Sequence, residues 1–224
     1  MKYKWIIFDL DGVICHTDMF HFKAWKAIAD RLGIYFDETI NNRLRGVGRM
    51  ESLAIVLERY SGPALSKDEQ EKLACEKNVI YKSLLSQMDE SYVPAEVLGA
   101  LCVLREKGIK MAIGSSSKNA KYILKQIGLN NFFDAISDGN NIQHTKPHPQ
   151  VFTLAAQYLY LPPSSCLVVE DARAGIEAAV AGGFDSAGIG DAARDARATY
   201  AIESLHDLIN IVGVGLPLPI RRLE

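Results

Sequence analysis

The sequence predicts an α/β protein, in which a parallel sheet core carries an inserted all-helical segment. Three observations predict this fold class. Short apolar runs typical of buried strands recur along the chain, and amphipathic helical patterns lie between them. This alternation favours a parallel sheet covered by helices on both faces. Between about residue 19 and residue 90 the sequence shows only helical patterns, which indicates an insert after the first strand.

The predicted strands are short runs rich in β-branched and other apolar residues. They cover residues 4–8, 109–114, 134–137, 166–169 and 186–189. The helical patterns between them cover residues 94–107, 118–128, 149–160 and 172–182. Ligands bind at the carboxyl ends of the strands in such sheets, so the residues after each run are candidates for a functional site.

The insert contains four helical patterns and a return segment. The patterns are FHFKAWKAIADRLG, DETINNRLRGV, MESLAIVLERY and SKDEQEKLACEKNVIYKSLLSQM. The segment SYVPAEV at residues 91–97 is predicted to lead the chain back to the core.

Composition narrows the class of protein. The chain has 224 residues, 48% of them hydrophobic, and a formal net charge of -2, so we expect no nucleic-acid or membrane partner. Its four cysteines form no CxxC pair and are typical of free thiols in a reducing compartment. No signal peptide is predicted, and the longest apolar stretch, around residues 209–220, is too short to span a membrane. We expect a soluble, cytoplasmic monomer.

Two acids end the first predicted strand, in the sequence WIIFDLDGV. Side chains alternate along a strand, so Asp9 and Asp11 are expected to point to the same side, and Gly12 permits a tight turn. Two carboxylates about 4 Å apart repel by roughly 4 kcal/mol at an effective dielectric constant near 20. We therefore expect a positive group beside them, or a proton on one of them.

Other predicted strand ends supply matching groups. Ser115, Ser116 and Ser117 follow the second strand, with Lys118 and Asn119 at the start of a helix, and this combination favours phosphate binding. Lys146 stands in HTKPHP, and a second acidic pair, Glu170 and Asp171, follows CLVV. Oxygen ligands of this kind suit Mg²⁺, which binds carboxylates together with phosphate oxygens.

These groups together indicate phosphoryl transfer. Asp9 is predicted to attack phosphorus and form an aspartyl-phosphate. Mg²⁺ and Lys146 are predicted to neutralise charge as one anion approaches another. Asp11 is predicted to exchange a proton with the hydroxyl group of the substrate.

The same motifs resemble those of the haloacid dehalogenase superfamily, over nearly the whole chain. The matching motifs are DLDGV at 9–13, Ser115, Lys146 and EDARAGIEAA at 170–179. Within the superfamily the insert is most similar to the β-phosphoglucomutase family, through HFKAWKAIA at 21–29, RLRGVGRMESL at 43–53 and EKNVIY at 76–81. The resemblance implies a Rossmann-like core of residues 1–17 and 92–224 and an all-helical cap domain of residues 18–91.

The resemblance also implies an activity and roles for individual residues. Members of that family interconvert β-glucose 1-phosphate and glucose 6-phosphate through β-glucose 1,6-bisphosphate. By similarity, Thr17 and His21 control Asp11 and the cap, Ser115 and Lys146 bind the transferring phosphate, and Arg49 binds the other phosphate. The remaining matched substrate positions are Trp25, Gly46, Val47, Ser52, Lys77, Asn78, Ser116, Ser117, Lys118 and Asn119. The matched Mg²⁺ site consists of Asp9, the backbone carbonyl of Asp11, Glu170 and Asp171.

Three positions depart from the family pattern. His16 stands where an acid is usual, Arg45 where a lysine is usual, and Gly48 where a serine is usual. The first departure affects hydrogen bonding beside Thr17, and the other two preserve charge and small size.

Several alternatives remain open at this point. A phosphatase for small sugar phosphates would use the same Asp9 and Asp11, and a catalytically inactive sugar-phosphate sensor would keep the binding groups. Ser115 and the pair Glu170–Asp171 would also serve as helix caps. His21 and Arg49 would also fit a solvated surface, Trp25 would fit the core of the cap, and Lys77 and Asn78 match the site least securely.

Overall fold

The computed structural model describes residues 3–213 of the chain. Six parallel strands form one sheet in the order β3-β2-β1-β4-β5-β6. The strands are β1 (Trp5–Phe8), β2 (Lys110–Gly114), β3 (Ala135–Ser137), β4 (Cys166–Glu170), β5 (Asp185–Gly188) and β6 (Tyr200–Ala201). The α/β fold class predicted from the sequence is confirmed.

Helices cover both faces of the sheet and fill the insert. In the insert they are α1 (Asp18–Arg31), α2 (Glu38–Asn42), α3 (Arg49–Leu57) and α4 (Lys67–Leu85). In the remainder of the described chain they are α5 (Ala95–Glu106), α6 (Ala120–Gln126), α7 (Gln150–Tyr158), α8 (Arg173–Ala181) and α9 (Asp207–Val212). Short 3₁₀ turns lie at Glu90–Tyr92, Pro163–Ser165 and Gly190–Arg194.

The central strand β1 is buried on both faces, which explains its unbroken apolar sequence. Ile6 and Phe8 belong to the apolar cluster on one side of the sheet, whereas Ile7 belongs to the cluster on the other side. This alternation follows from the period of two in a strand. The polar residues that come next, from Asp9 onward, therefore mark the end of the buried run.

The strand order reverses between β1 and β4, and this reversal positions the site. β2 and β3 extend the sheet from one side of β1, and β4, β5 and β6 extend it from the other. Phe8 of β1 is aligned with Val169 of β4. Crevices that bind ligands open at such a reversal, beyond the carboxyl ends of the strands. Asp9, which follows β1, and Glu170, which ends β4, both stand at its edge.

The insert has an apolar cluster of its own. Trp25 from α1, Ile40 from α2, Leu53 from α3 and Leu73 from α4 belong to this cluster. Helix α4 begins with a capping box between Ser66 and Glu69, in which each residue satisfies a backbone N–H of the other. The division of the chain into a core of residues 1–17 and 92–224 and a cap of residues 18–91 stays a prediction, and the separate cluster supports it.

Two features differ from the sequence predictions. The pattern DETINNRLRGV forms only the short α2, because the chain turns into a loop in which Gly46 has a φ of 75°, a conformation that favours glycine. The strand β6 was not predicted, since two residues are too short to show a strand pattern.

No helix in the described part of the chain is long and apolar enough to span a membrane. The predicted apolar stretch at 209–220 starts in α9, and its residues after 213 lie outside the described residues.

Candidate active site

A cavity of about 500 Å³ lies between the insert and the carboxyl ends of the strands. Most of the site residues predicted from the sequence line it. They are Asp9, Asp11, His21, Trp25, Gly46, Val47, Arg49, Ser52, Lys77, Asn78, Ser115, Ser116, Ser117, Lys118, Asn119 and Asp171. The other three, Thr17, Lys146 and Glu170, lie directly behind this lining, where each contacts a lining residue.

Three carboxylates meet where β1 and β4 end. Asp9, Glu170 and Asp171 each offer one oxygen, and these oxygens lie within 4.8 Å of one another. Glu170 is held in place because its Oε2 accepts hydrogen bonds from the backbone N–H groups of Asp171 and Ala172, each at 3.1 Å. Three hard oxygen donors at this spacing fit a Mg²⁺ ion, whose remaining ligands are commonly waters and phosphate oxygens.

Two glycines make room for these carboxylates. A Cβ atom at Gly12, whose φ is 87°, would lie 2.0 Å from Oδ2 of Asp171. A Cβ atom at Gly175 would lie 1.9 Å from the carboxyl carbon of Glu170. Each glycine is therefore required by the close approach of an acidic side chain, and both occur in the motifs that predicted the site.

Lys146 supplies the positive charge that the acidic strand end needs. Its Nζ is buried and lies 2.5 Å from Oδ1 of Asp9, and it also donates a hydrogen bond to Glu170. Burial lowers the pKa of Lys146, but the carboxylates of Asp9 and Glu170 outweigh burial and raise it overall. Burial raises the pKa of Glu170 to about 7 and that of Asp171 to about 8, and a bound cation would reverse both shifts.

Asp11 has different partners from Asp9. Its carboxylate accepts hydrogen bonds from the backbone N–H of Thr17 at 2.7 Å and from the Thr17 hydroxyl at 2.6 Å. The Thr17 hydroxyl also lies 2.8 Å from the hydroxyl of Tyr81 in α4. Burial and the charge of Asp18 raise the pKa of Asp11 to about 7, although the hydrogen bonds from Thr17 oppose this shift. The two acids of the DLD motif are thus separated into different environments.

The hydroxyl-rich loop after β2 forms another part of the cavity wall. Oγ of Ser115 accepts a hydrogen bond from the N–H of Ser117 at 3.2 Å, and Oγ of Ser117 accepts one from the N–H of Asn119 at 3.1 Å. The N–H of Lys146 lies 3.4 Å from Oγ of Ser116. These bonds fix the loop so that its hydroxyl groups and Lys146 occupy one side of the cavity.

The insert contributes a separate polar group on the opposite wall. Arg49 donates a hydrogen bond to Oδ1 of Asn78 at 2.8 Å, and the same oxygen accepts a hydrogen bond from Nδ2 of Asn119 at 2.9 Å. Asn119 belongs to the loop after β2, so the insert and the strand ends meet at this oxygen. Among the described residues, no carboxylate lies within 4 Å of the Arg49 guanidinium group.

Lys77 is buried beside His21 in the insert wall. Its Nζ lies 2.8 Å from Nδ1 of His21, 5.0 Å from the ring centre of Trp25 and 4.4 Å from that of Tyr81. Burial and the charge of Arg49 lower the pKa of Lys77 to about 7. Burial and the charges of Lys77 and Arg49 lower the pKa of His21.

The structure also decides two of the alternative interpretations. His21 is half-buried in the cavity wall rather than fully solvated, because its ring lies 4.1 Å from the Tyr81 ring at a tilt of 36° and its Nε2 lies 3.7 Å from Oδ2 of Asp11. Trp25 combines both interpretations, since it belongs to the apolar cluster of the insert and also lines the cavity.

Sequence reasoning missed the contacts of Arg45 and Tyr81. Nη2 of Arg45 lies 2.5 Å from Oδ2 of Asp171 and 3.1 Å from Asp18, so this insert residue reaches the acidic cluster of the core. The substitution of arginine for the usual lysine was the signal for Arg45, because a guanidinium group can bind two carboxylates at once. Tyr81 lies four residues after Lys77, on the same face of α4, and this spacing could have identified it.

Comparisons with known proteins agree with this geometry. A family model for haloacid dehalogenase-like hydrolases matches residues 3–183. The chain is 37% identical to the β-phosphoglucomutase of Bacillus subtilis, over 92% of this chain and 91% of that protein. It is 31% identical to the fructose-1-phosphate phosphatase YqaB of Escherichia coli, over 83% of this chain and 95% of that protein.

Solved structures give the same result. This chain superimposes on the crystal structure of β-phosphoglucomutase from Clostridium difficile with a TM-score of 0.85 and 34% sequence identity. The superposition covers 92% of this chain and 93% of the Clostridium difficile chain.

Proposed function

The chain belongs to the haloacid dehalogenase-like hydrolase family, and on this premise we propose that it is a β-phosphoglucomutase. In this proposal it interconverts β-D-glucose 1-phosphate and D-glucose 6-phosphate through an aspartyl-phosphate and β-glucose 1,6-bisphosphate. The coarser statement, that the chain is an enzyme of this superfamily, follows from the family match and the relatives.

One observation supports the mutase proposal: two groups of polar side chains line different parts of the cavity, and we propose that each binds a phosphate group. Asp9, Ser115 and Lys146 surround the first, at the strand ends. Arg49, with Asn78 and Asn119, provides the second on the opposite side. A bisphosphate intermediate needs both places at once, whereas a phosphatase needs only the first.

The chemical steps use the two acids of the DLD motif. First, a carboxylate oxygen of Asp9 attacks the phosphorus at one end of a sugar bisphosphate, and the bond from phosphorus to the sugar oxygen breaks as the aspartyl-phosphate bond forms. Asp11 gives its proton to the departing sugar oxygen. In the second step, the 6-hydroxyl group of β-glucose 1-phosphate loses its proton to Asp11 and attacks the phosphorus of the aspartyl-phosphate, which frees Asp9 and forms β-glucose 1,6-bisphosphate. After the bisphosphate reverses its orientation, Asp9 takes the phosphate from carbon 1 as in the first step, and glucose 6-phosphate is released.

The environment of Asp11 supports this double role. A carboxyl group with a pKa near 7 can both donate and accept a proton at neutral pH, and burial gives Asp11 a pKa of about 7. Thr17 fixes the orientation of the carboxylate through two hydrogen bonds, and His21 lies beside it. The Tyr81 hydroxyl connects this arrangement to the insert, so the position of the insert affects the alignment of Asp11.

The proposed Mg²⁺ site consists of Asp9, Glu170, Asp171 and the backbone carbonyl of Asp11. When bound, the ion supplies positive charge to the phosphate oxygens and to the attacking carboxylate. Lys146 supplies a permanent positive charge to Asp9 from the other side, and the hydroxyl group of Ser115 faces the same space.

The remaining predicted residues are proposed to hold the sugar and exclude water. Water must be kept from the aspartyl-phosphate, because hydrolysis would convert the mutase into a phosphatase. The insert covers the strand ends and provides this shield. The residues proposed to contact the substrate are His21, Trp25, Gly46, Val47, Arg49, Ser52, Lys77, Asn78, Ser116, Ser117, Lys118 and Asn119.

A second candidate function is that of a Mg²⁺-dependent phosphatase for a small sugar phosphate. The similarity to a fructose-1-phosphate phosphatase, at 31% identity, favours it. Asp9 and Asp11 would act in the same way, and only the group that accepts the phosphate would differ.

A coupled assay distinguishes the two functions. The enzyme is supplied with β-glucose 1-phosphate, Mg²⁺ and a trace of a bisphosphate primer, and both glucose 6-phosphate and free phosphate are measured. We expect glucose 6-phosphate with little free phosphate. Free phosphate in proportion to the substrate consumed would contradict the mutase and establish the phosphatase.

Localisation and assembly belong to the same proposal. All four cysteines are free thiols, which suits a reducing cytoplasm. We propose a cytoplasmic monomer that acts on small-molecule sugar phosphates.

A further inference from the structure

One polar side chain in the cavity wall has no hydrogen-bond partner among residues 3–213. Three buried side-chain atoms of the described residues lack a hydrogen bond: Oδ1 of Asn41, Oδ2 of Asp138 and Oγ of Ser186. Of these three residues, only Asn41 lines the cavity. Its Oδ1 is enclosed, whereas its Nδ2, which also forms no hydrogen bond with the described residues, is the amide atom that has exposed surface. Buried polar atoms are nearly always hydrogen-bonded in folded proteins, so this exception needs a physical reason.

The surroundings of Asn41 are apolar. The residue is only 7% exposed, and its neighbours in the chain, Ile40 and Leu44, belong to the apolar cluster of the insert. The Asn41 side chain forms no hydrogen bond with any residue from 3 to 213. An unsatisfied buried amide costs about 1–3 kcal/mol of stability, so an apolar residue would be preferred here if packing alone decided.

A ligand bound in the cavity can supply the hydrogen-bond partner that the described residues do not. The Nδ2 group of a carboxamide donates hydrogen bonds, and a hydroxyl group of a ligand can accept one from it. A phosphate group can only accept, and Arg49 and Lys77 already present cations to it from the same insert. Trp25, Leu44 and Ala74, which belong to the apolar cluster of the insert, line the same cavity as Asn41, as suits the carbon face of a sugar ring.

We propose that Asn41 is a specificity-determining residue, whose carboxamide forms a hydrogen bond with a hydroxyl group of the sugar ring. This inference rests on the proposed function in one respect, namely that the ligand is a sugar phosphate. It explains why the insert retains an amide that weakens its own packing. Sugar phosphates with the hydroxyl group satisfy the amide, and phosphate esters without it leave the amide unpaired.

The central experiment compares Asn41→Leu with Asn42→Leu. Asn42 is the matched control, because it is the next residue of α2 but is exposed to solvent. Two substrates are used with each variant: β-glucose 1-phosphate, and p-nitrophenyl phosphate, which has no sugar hydroxyl groups. Thermal stability is measured on the same preparations.

We expect Asn41→Leu to lower kcat/KM for β-glucose 1-phosphate by about 3- to 10-fold, the effect of one hydrogen bond. Its kcat/KM for p-nitrophenyl phosphate should stay within about 2-fold of wild type, since Asn41 makes no contact with the reacting phosphate in this proposal. Its Tm should be equal to or higher than that of wild type, because the unsatisfied amide is removed. Asn42→Leu should change none of these values appreciably.

Deoxy sugars identify the hydroxyl group. The 2-, 3- and 4-deoxy analogues of β-glucose 1-phosphate are compared with the parent sugar in wild type and in Asn41→Leu. One analogue should be a poorer substrate for wild type, and the substitution should have no further effect on it. This non-additivity would place the amide and that hydroxyl in contact.

Three results would overturn the proposal. They are an unchanged kcat/KM for the sugar phosphate, an equal loss for both substrates, and a lower Tm for Asn41→Leu, which would show that the amide supports the fold. A wild-type protein that releases phosphate instead of forming glucose 6-phosphate would contradict the mutase only. The comparison at Asn41 would remain valid, because it is based on the rate at which the sugar phosphate is consumed.

Discussion

The two walls of the cavity differ in whether their positively charged side chains are paired with carboxylates. In the core wall, formed by Asp9, Ser115, Lys146, Glu170 and Asp171, the buried cation is paired with two carboxylates. In the insert wall, formed by Trp25, Asn41, Arg49, Lys77 and Asn78, neither cation has a carboxylate within 4 Å among the described residues.

In the proposed function, the core wall carries out the chemistry and the insert wall recognises the ligand. The core wall balances most of its own charge, so its reacting groups are held in place before a ligand enters. In the insert wall, Arg49 and Lys77 contact only uncharged groups among the described residues, and the amide of Asn41 has no hydrogen bond there, so a ligand can supply an opposite charge and a hydrogen-bond partner. An anionic molecule with hydroxyl groups, such as the proposed sugar phosphate, complements both walls of the cavity.

The largest expected effect tests the core wall. Asp9→Asn keeps the shape of the side chain but removes the nucleophile, so turnover should fall by about 10⁵-fold or more. Covalent labelling with a radioactive bisphosphate should also disappear. Asp30→Asn, in an exposed ion pair of α1, is the control and should change neither value. Labelled protein in the Asp9→Asn variant would show that another residue is phosphorylated.

A second experiment tests the pairing of charges in the core wall. Lys146→Met should reduce the free energy of unfolding by about 3–5 kcal/mol, because two buried carboxylates lose their partner. Urea denaturation without divalent cations measures this loss. Lys110→Met removes an exposed partner of Asp134 and should cost at most about 1 kcal/mol. Equal losses in the two variants would remove the contrast between buried and exposed pairs.

A substitution in the insert wall should affect isomerisation more than the hydrolysis of a simple phosphate ester. Arg49→Ala should lower kcat/KM for isomerisation by about 10- to 100-fold, the usual effect of one charge-assisted hydrogen bond. Hydrolysis of p-nitrophenyl phosphate, which lacks a second phosphate, should change by less than about 3-fold. Arg43→Ala, which breaks an exposed ion pair with Glu58, serves as the control. Equal losses for both reactions would argue against a second phosphate site at Arg49.

The smallest expected effect is the dependence of stability on pH at Lys77. The pKa of this lysine is about 7 in the folded protein and 10.5 when unperturbed, so between these pH values the unfolded chain binds one more proton. The Lys77 contribution therefore makes the free energy of unfolding rise with pH in this window, by about 1 kcal/mol between pH 7 and pH 8. Below pH 7 both states are protonated and the full penalty of burying the charge is present. His21, Arg49, Asp11 and Tyr81 are the titratable or charged groups that surround Lys77.

Urea denaturation of Lys77→Met and wild type at pH 6, 8 and 9.5 measures this contribution. The variant should be the more stable protein at pH 6, and its advantage should shrink as the pH rises. Lys72→Met is the matched control, because Lys72 is an exposed lysine of the same helix. A difference between Lys77→Met and wild type that does not change with pH would mean that Lys77 is charged throughout this range.

Local sequence patterns were sufficient to predict the sheet core and most residues of the core wall. Each buried strand appears in the sequence as an apolar run, and the residues that follow these runs lie at one edge of a parallel sheet. The positions of Asp9, Ser115 and Glu170 follow from where those runs end, although they are far apart in the chain. Lys146 lies in the loop between β3 and α7, and its motif rather than a strand end predicted its place in the site. Gly12 and Gly175 mark places where acidic side chains approach the backbone.

How the insert wall meets the core wall depends on the tertiary structure. Helical periodicity shows which face of α1 or α4 is apolar, but it contains no information on how the insert packs against the strand ends. The contact of Arg45 with Asp171, the position of Lys77 between two aromatic rings and the unpaired amide of Asn41 all depend on that closure. Strand ends are fixed by local patterns, whereas contacts across a cavity are fixed by packing between residues that no local pattern connects.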